Sequence, residues 1–107
     1  MRLGAWDCSL TAGSCAHGIY KTDDISERHR HRYELNNSYL GDLSKNGLKA
    51  TGINPKTGLA EIVEIDAHPW FVGVQYHPEY KSTVLEPHPL FTAFVEACNN
   101  YANKKIN

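Results

Sequence analysis

Apolar and polar positions alternate along most of this chain, and longer apolar stretches occur only near residues 70–76 and from residue 90 onward. The opening "MRLGAW" (1–6) reads as a short strand, and residues 7–24, punctuated by Gly13, Ser14, Gly18, Asp23 and Asp24, as an irregular loop. In "SERHRHRYELNN" an extended backbone puts Glu27, His29, His31 and Tyr33 on one side and Arg28, Arg30, Arg32 and Glu34 on the other. Asn36-Asn37 marks a turn, and Leu40 to Gly47 a short helix or turn that ends at a glycine. "LKATGIN" (48–54) and "LAEIVEID" (59–66) flank the turn "PKTG" and predict a hairpin. Trp70 to Tyr76, apolar on both faces, predicts a strand in the middle of a covered sheet.

The chain closes in a predicted helix. Pro89 suits its first position, and Leu90, Phe94, Ala97, Cys98 and Tyr101 fall on one stripe. Lys104 and Lys105 follow at the end where the helix dipole favours cations. Trp6, Trp70, Phe71, Phe91 and Phe94 read as core aromatics. Strands outnumber helices, so the pattern suggests half of a layered α/β structure whose other half lies elsewhere.

Composition narrows the classes. With 107 residues there is room for one small domain. A net charge of −1 lacks the basic excess expected for nucleic-acid or anionic-membrane binding. No run reaches the roughly 18 apolar residues of a membrane-spanning helix. The three cysteines, Cys8, Cys15 and Cys98, are too few and too irregular for a disulfide framework, which points to the reducing cytoplasm.

The candidate chemistry sits at the end of the apolar stretch "FVGVQYHPEYKS" (71–82). Residues two apart in an extended segment share a side, with Cα atoms roughly 6.8 Å apart. The Glu79 carboxylate then reaches one ring nitrogen of His77 and leaves the other facing outward. A carboxylate so placed fixes the tautomer and stabilises the imidazolium, the third-member role in a nucleophile–His–acid triad. Pro78 between them stiffens the backbone. By itself a His-Pro-Glu turn is also compatible with a surface ion pair.

Four stretches give this pair a context: "MRLGA" (1–5), "ERHRHRYE" (27–34) followed by Asn36-Asn37, "HPWFVGVQYHPEYKS" (68–82) and "HPLFTAFVEA" (88–97). In their content and order the chain resembles the CTP synthase family, in the C-terminal part of its class I (triad-type) glutamine amidotransferase domain. "ERHRHRYE" is the most particular of the four. The resemblance implies a partial flavodoxin-like layered α/β sheet, with strands followed by one C-terminal helix, residues 1–107 forming only the C-terminal portion. It implies His77 as general base, Glu79 as the acid that orients it, and Arg32 as a residue that holds the substrate L-glutamine. Tyr76 and Tyr80 stand where the family often has phenylalanine.

One part of the family pattern is not found. The nucleophilic cysteine stands in a G-x-C-x-G elbow upstream of the matched stretches, so the resemblance places it before Met1, which itself matches an internal methionine. "GSCAHG" (13–18) has one residue too many before its second glycine and no apolar strand leading into it, so Cys15 does not fit the elbow. Cys98 belongs to the helix stripe and reads as a small hydrophobe. The expectation is therefore a fragment that holds base and acid but no nucleophile, and that is inactive alone. The whole enzyme would hydrolyse glutamine and pass ammonia to a synthase domain that aminates UTP to CTP with ATP and Mg²⁺, under GTP activation, as a cytoplasmic homotetramer. The fragment itself implies no cofactor and no metal.

Other readings of the same residues remain. A non-catalytic binding or regulatory module retaining the fold is one. "RHRHR" could track phosphates, although Glu27 and Glu34 bracket it. His29 and His31 with His77 and Glu79 would make an N₃O set suited to zinc or iron. His68 and His88, each before a proline that opens a new element, read as structural caps.

Overall fold

The computed structural model describes residues 1–106 and side chains through residue 104. The dipole contact expected of Lys105 lies outside the described side chains. The strands are β1 (Arg2–Leu10), β2 (Asp24–His31), β3 (Leu48–Ile53), β4 (Ala60–Ile65) and β5 (Val72–Val74). The helices are α1 (Cys15–Tyr20), α2 (Leu40–Lys45) and α3 (Pro89–Ile106), with 3-10 turns at Asn37–Tyr39 and Pro78–Lys81. The strands form one sheet in the order β2-β1-β3-β4-β5, and every pairing in it is antiparallel.

The β1–β2 ladder runs from Arg2↔His31 to Ser9↔Asp24. Along it the side-chain period of two sorts the residues. Arg2, Cys8, Leu10, Glu27 and His29 turn inward and are buried, while Leu3, Ala5, Arg28 and Arg30 face outward. The alternation expected for "SERHRHR" therefore holds as far as His31. The strand ends there, and Tyr33 is exposed. Asn36 opens the next turn by accepting from the Ser38 amide at 3.0 Å, and Gly47, at φ 96, ends the α2 turn in a conformation that side chains disfavour.

Three expectations need correction. Residues 7–24 are not one loop, because β1 continues to Leu10 and α1 follows. This helix has only six residues, too few for an apolar period to show. Its ends are fixed by the Ser14 side chain, which accepts from the His17 amide, and by Lys21 in the left-handed region. Next, β5 spans three residues and lies at the end of the strand order rather than in its middle. Its neighbours peel away from β4 because the sheet curls. Gln75 N–H still donates to the Glu61 carbonyl at 2.9 Å, whereas His77 N–H donates to the Arg28 carbonyl of β2 at 2.9 Å. The segment after β5 thus bridges the two ends of the curled sheet.

The third correction concerns α3. Its first turn is anchored by buried Leu90, but Phe94 and Tyr101 are about half exposed and Cys98 is exposed. Phe71 and Phe91 also keep substantial exposure. The reason lies in the size of the core, which comprises Cys8, Leu10, Ala16, Ile62, Tyr76 and Leu90. That cluster reaches α1 and the start of α3 and leaves the remaining stripe beyond it. Among the described residues no helix is long and apolar enough to cross a membrane.

Candidate active site

The interior of the curl is unusually polar. Arg2 reaches the Glu34 carboxylate with Nε at 2.9 Å and with Nη2, and it pairs through Nη1 with buried Glu61. Burial disfavours the Arg2 charge, but its hydrogen bonds to Glu34 and Glu61 outweigh it and raise its pKa. Beside this cluster, His31 Nδ1 lies 3.0 Å from the Tyr33 carbonyl, and His31 Nε2 lies 2.7 Å from His29 Nδ1. A carbonyl can only accept, so Nδ1 of His31 carries a proton. His31 Nε2 then accepts from His29 Nδ1–H, leaving His29 Nε2 as the bare nitrogen. Burial, then the nearby Arg2 charge, lower the His29 pKa to about 4, so the ring is neutral at pH 7.

A second network supports the end of β5. Tyr76 is buried, its ring centroid 5.7 Å from that of His29, and its hydroxyl lies 2.8 Å from that of Tyr20. Tyr20 O–H donates to buried Glu27 at 2.5 Å. His88 Nδ1 accepts from the Leu90 amide at 3.1 Å, so its Nε2–H faces the same Glu27 oxygen at 2.5 Å. His88 thus caps the start of α3, as His68 Nδ1 caps the Trp70 amide at 3.1 Å. Both agree with their structural reading.

On this platform stands the pair singled out from sequence. His77 Nδ1 and Glu79 Oε1 are 2.5 Å apart. Backbone geometry explains how they meet: His77 immediately precedes the 3-10 turn Pro78–Lys81, with Pro78 in its first position. The His77 ring also stacks on Tyr80, with centroids 5.1 Å apart and planes 20° from parallel. The hydrogen bond with His77 holds the Glu79 carboxyl below its ordinary range. An ionised Glu79 only accepts, so Nδ1 carries the proton and Nε2 keeps its lone pair. The His77 side chain is 38% exposed.

Arg32 lies one residue past β2, exposed and without a hydrogen bond or ion pair among the described residues. The structure brings its segment to that of His77, because Gln75 Nε2–H donates to the Tyr33 carbonyl at 3.3 Å. Sequence reasoning missed this tether, and it also missed Lys81, whose ammonium donates to the Ser26 carbonyl at 2.7 Å. Neither carries a motif signal, since both act on backbone carbonyls.

The cysteines do not complete the site. Cys8 is buried, and burial together with Glu61 pushes its thiol far up. Cys15 opens α1, where burial and then Glu64 raise its pKa as well. Cys98 lies on α3. The zinc or iron reading also lacks its ligand set: among the described residues no three His, Cys, Asp or Glu side chains come together to hold an ion. His29 and His31 are engaged with each other, and His77 with Glu79.

The family model of the class-I glutamine amidotransferases matches residues 3–97, and the chain belongs to that family. Within it, the similarity runs to CTP synthases. The chain is 61% identical over 107 residues to the CTP synthase of Christiangramia forsetii, which covers all of this chain and 20% of that protein. It is 62% identical over 104 residues to that of Flavobacterium psychrophilum, covering 97% of this chain and 19% of that protein. The solved glutaminase domain of Trypanosoma brucei CTPS, with bound acivicin, superposes with a TM-score of 0.87 at 38% identity and covers 94% of this chain and 40% of that one. The chain thus spans about a fifth of the length of the curated relatives it matches.

Proposed function

We propose that residues 1–107 are the C-terminal portion of the glutamine-hydrolysing domain of a CTP synthase, supplying the general base His77, its orienting acid Glu79 and the substrate-holding Arg32. The observation that carries this reading is the 2.5 Å contact between His77 Nδ1 and Glu79, in a chain of the class-I family. It leaves Nε2 as the basic nitrogen of the ring.

The chemistry follows from that polarity. His77 Nε2 takes the proton of a cysteine thiol contributed from outside this chain, and the sulfur attacks the carboxamide carbon of glutamine. As the C–N bond breaks, the imidazolium returns its proton to the leaving ammonia. Water then opens the thioester in a second cycle of the same base and releases glutamate. Glu79 remains ionised throughout and stabilises the imidazolium. Arg32, a permanent cation on the segment that Gln75 tethers, holds the amino acid.

In the whole enzyme the ammonia passes to a synthase domain that uses ATP and Mg²⁺ to aminate UTP to CTP, with GTP as activator, in a cytoplasmic homotetramer. The resemblance and the similarity to CTP synthases support this reading. Its test is His77→Ala in the whole enzyme: glutamine-dependent CTP synthesis is lost, while synthesis from free ammonia persists. Loss of both would contradict the assignment. The 107-residue chain assayed alone releases no ammonia from glutamine, because none of its cysteines fits the nucleophile role. Glutaminase activity of the isolated chain would overturn that part.

A further inference from the structure

We propose that Lys81 is a positioning residue for the His77–Glu79 pair, holding the turn on which Glu79 stands at a fixed pitch against β2. The inference rests on the proposed roles of that pair and adds to them a group that touches neither substrate nor reacting atoms.

The geometry is as follows. Glu79 belongs to the 3-10 turn Pro78–Lys81, a four-residue element with no buried residue. Its entry is pinned where His77 N–H donates to the Arg28 carbonyl at 2.9 Å. Its exit is pinned where Lys81 Nζ donates to the Ser26 carbonyl at 2.7 Å. The two acceptors lie two residues apart on β2, so one rigid strand sets both ends of the turn. Between these two pins the Glu79 carboxylate meets Nδ1 at 2.5 Å.

Electrostatics adds a reason why the outer pin is a cation. Glu27 is buried, and its Oε1 has no hydrogen-bond partner among the described residues. Lys81 Nζ lies 3.9 Å from that oxygen. A buried carboxylate without a counter-charge is costly, so the ammonium of the half-exposed Lys81 is drawn toward β2. The apolar part of the side chain spans the gap. A neutral side chain of similar length would fill the space and release the turn.

The test is NMR of the 107-residue chain, reading the protonation of the His77 ring directly and needing no activity. In the native chain His77 gives the Nδ1–H tautomer pattern, and a hydrogen-bond coupling connects Lys81 Nζ to the Ser26 carbonyl. Lys81→Met is expected to lose the Nδ1–H signature while the amide spectrum of the β-ladders is kept, and Lys81→Arg to restore it. An unchanged Nδ1–H pattern in a folded Lys81→Met chain would overturn the proposal. Should that variant fail to fold, the native chain still decides: a Lys81 ammonium that averages freely, with no coupling to Ser26, overturns it as well. Because the readout is ring geometry, it stands apart from the His77→Ala test of glutamine hydrolysis.

Discussion

His77 donates its backbone N–H to the Arg28 carbonyl at 2.9 Å, joining the segment after β5 to the strand at the opposite end of the sheet order. With the Lys81 and Gln75 tethers, this contact closes the curl. It also converts a mobile class of element, a strand end followed by a short turn, into a mount for an imidazole. The ring of His77 is then set by three neighbours of different kinds: the Arg28 backbone, the stacked Tyr80 ring and the Glu79 carboxylate.

Glu79→Gln tests the electrostatic part of that mount. The amide oxygen can still accept from Nδ1–H, so the geometry survives, but the charge that steadies the imidazolium is gone. In the whole enzyme we expect glutamine hydrolysis to fall by about 100-fold or more, with little change in KM. Synthesis from free ammonia stays intact. The native pair has a matching acid limit. The Glu79 carboxyl is held below its ordinary range by its bond to His77, so the carboxylate that accepts from Nδ1–H is fully ionised above that ordinary range and is lost as pH falls through the lowered value. A wild-type rate for Glu79→Gln would show that the carboxylate charge has no part in the reaction.

His29 gives the fold its own pH dependence. It is buried, held neutral with a pKa of about 4, and faced by Arg2 from β1, Glu61 from β4, His31 on its own strand, and Tyr76 and His77 beyond β5. In the unfolded chain an ordinary imidazole takes up its proton near pH 6.5. Between about pH 4 and 6.5 the unfolded state therefore binds more protons, and stability rises with pH through that window. The contribution is fully present above pH 6.5 and is lost towards pH 4, amounting to about 3 kcal/mol at most. Urea unfolding of the native chain and of His29→Phe at several pH values checks this. The substitution should flatten the slope between pH 4 and 6.5, and an equal slope in both would refute it.

Much of this architecture is legible in the sequence, and the failures have a common cause. The alternation in "SERHRHR", the hairpin around "PKTG" and the Pro89 start of α3 are period signals carried by neighbouring residues. The His77–Glu79 contact is equally local, two residues apart across a proline. What escapes is set by partners far along the chain. The six residues of α1 are held by Glu64, β5 is cut short because His77 leaves for Arg28, and Lys81 acts on Ser26. None of these acceptors has a sequence signature.

Gly52 is a point where close approach, not backbone freedom, requires glycine. It sits at a register shift between β3 and β4, and a Cβ built there would lie 2.6 Å from Cγ1 of Ile62. Ile62 is fully buried and cannot step aside without leaving the core. Gly52→Ala should therefore destabilise the chain by roughly 1–3 kcal/mol, the usual cost of an extra carbon in a filled core. Combined with Ile62→Ala, which removes the Cγ1 and Cδ1 that would crowd the new Cβ, it should cost less than the sum of the two single changes. Purely additive destabilisation by urea titration would mean that the two residues do not press on each other.

Glu64 shows how a strand residue can build a distant helix. A carboxylate is expected in solvent, yet Glu64 shares the β4 face of buried Ile62 and is 2% exposed. Its Oε1 accepts from the Cys15 amide at 2.9 Å, and its Oε2 accepts from the Ala16 amide at 2.9 Å and the Thr51 hydroxyl at 2.8 Å. Two amides at this start of α1 thus find acceptors on one carboxylate and the His17 amide finds Ser14 Oγ, which is why a helix too short to persist alone is formed here. Glu64→Gln keeps the shape but turns one acceptor into a donor, so at least one buried amide or the hydroxyl loses its partner. We expect a loss of about 1–3 kcal/mol and hydrogen exchange at Cys15 and Ala16 at least about 10-fold faster than the change at the β1–β2 ladder amides. If exchange instead rises equally across α1 and the ladder, Glu64 contributes to global stability without holding α1 in particular. That outcome would leave the short helix to be explained by its packing against α3.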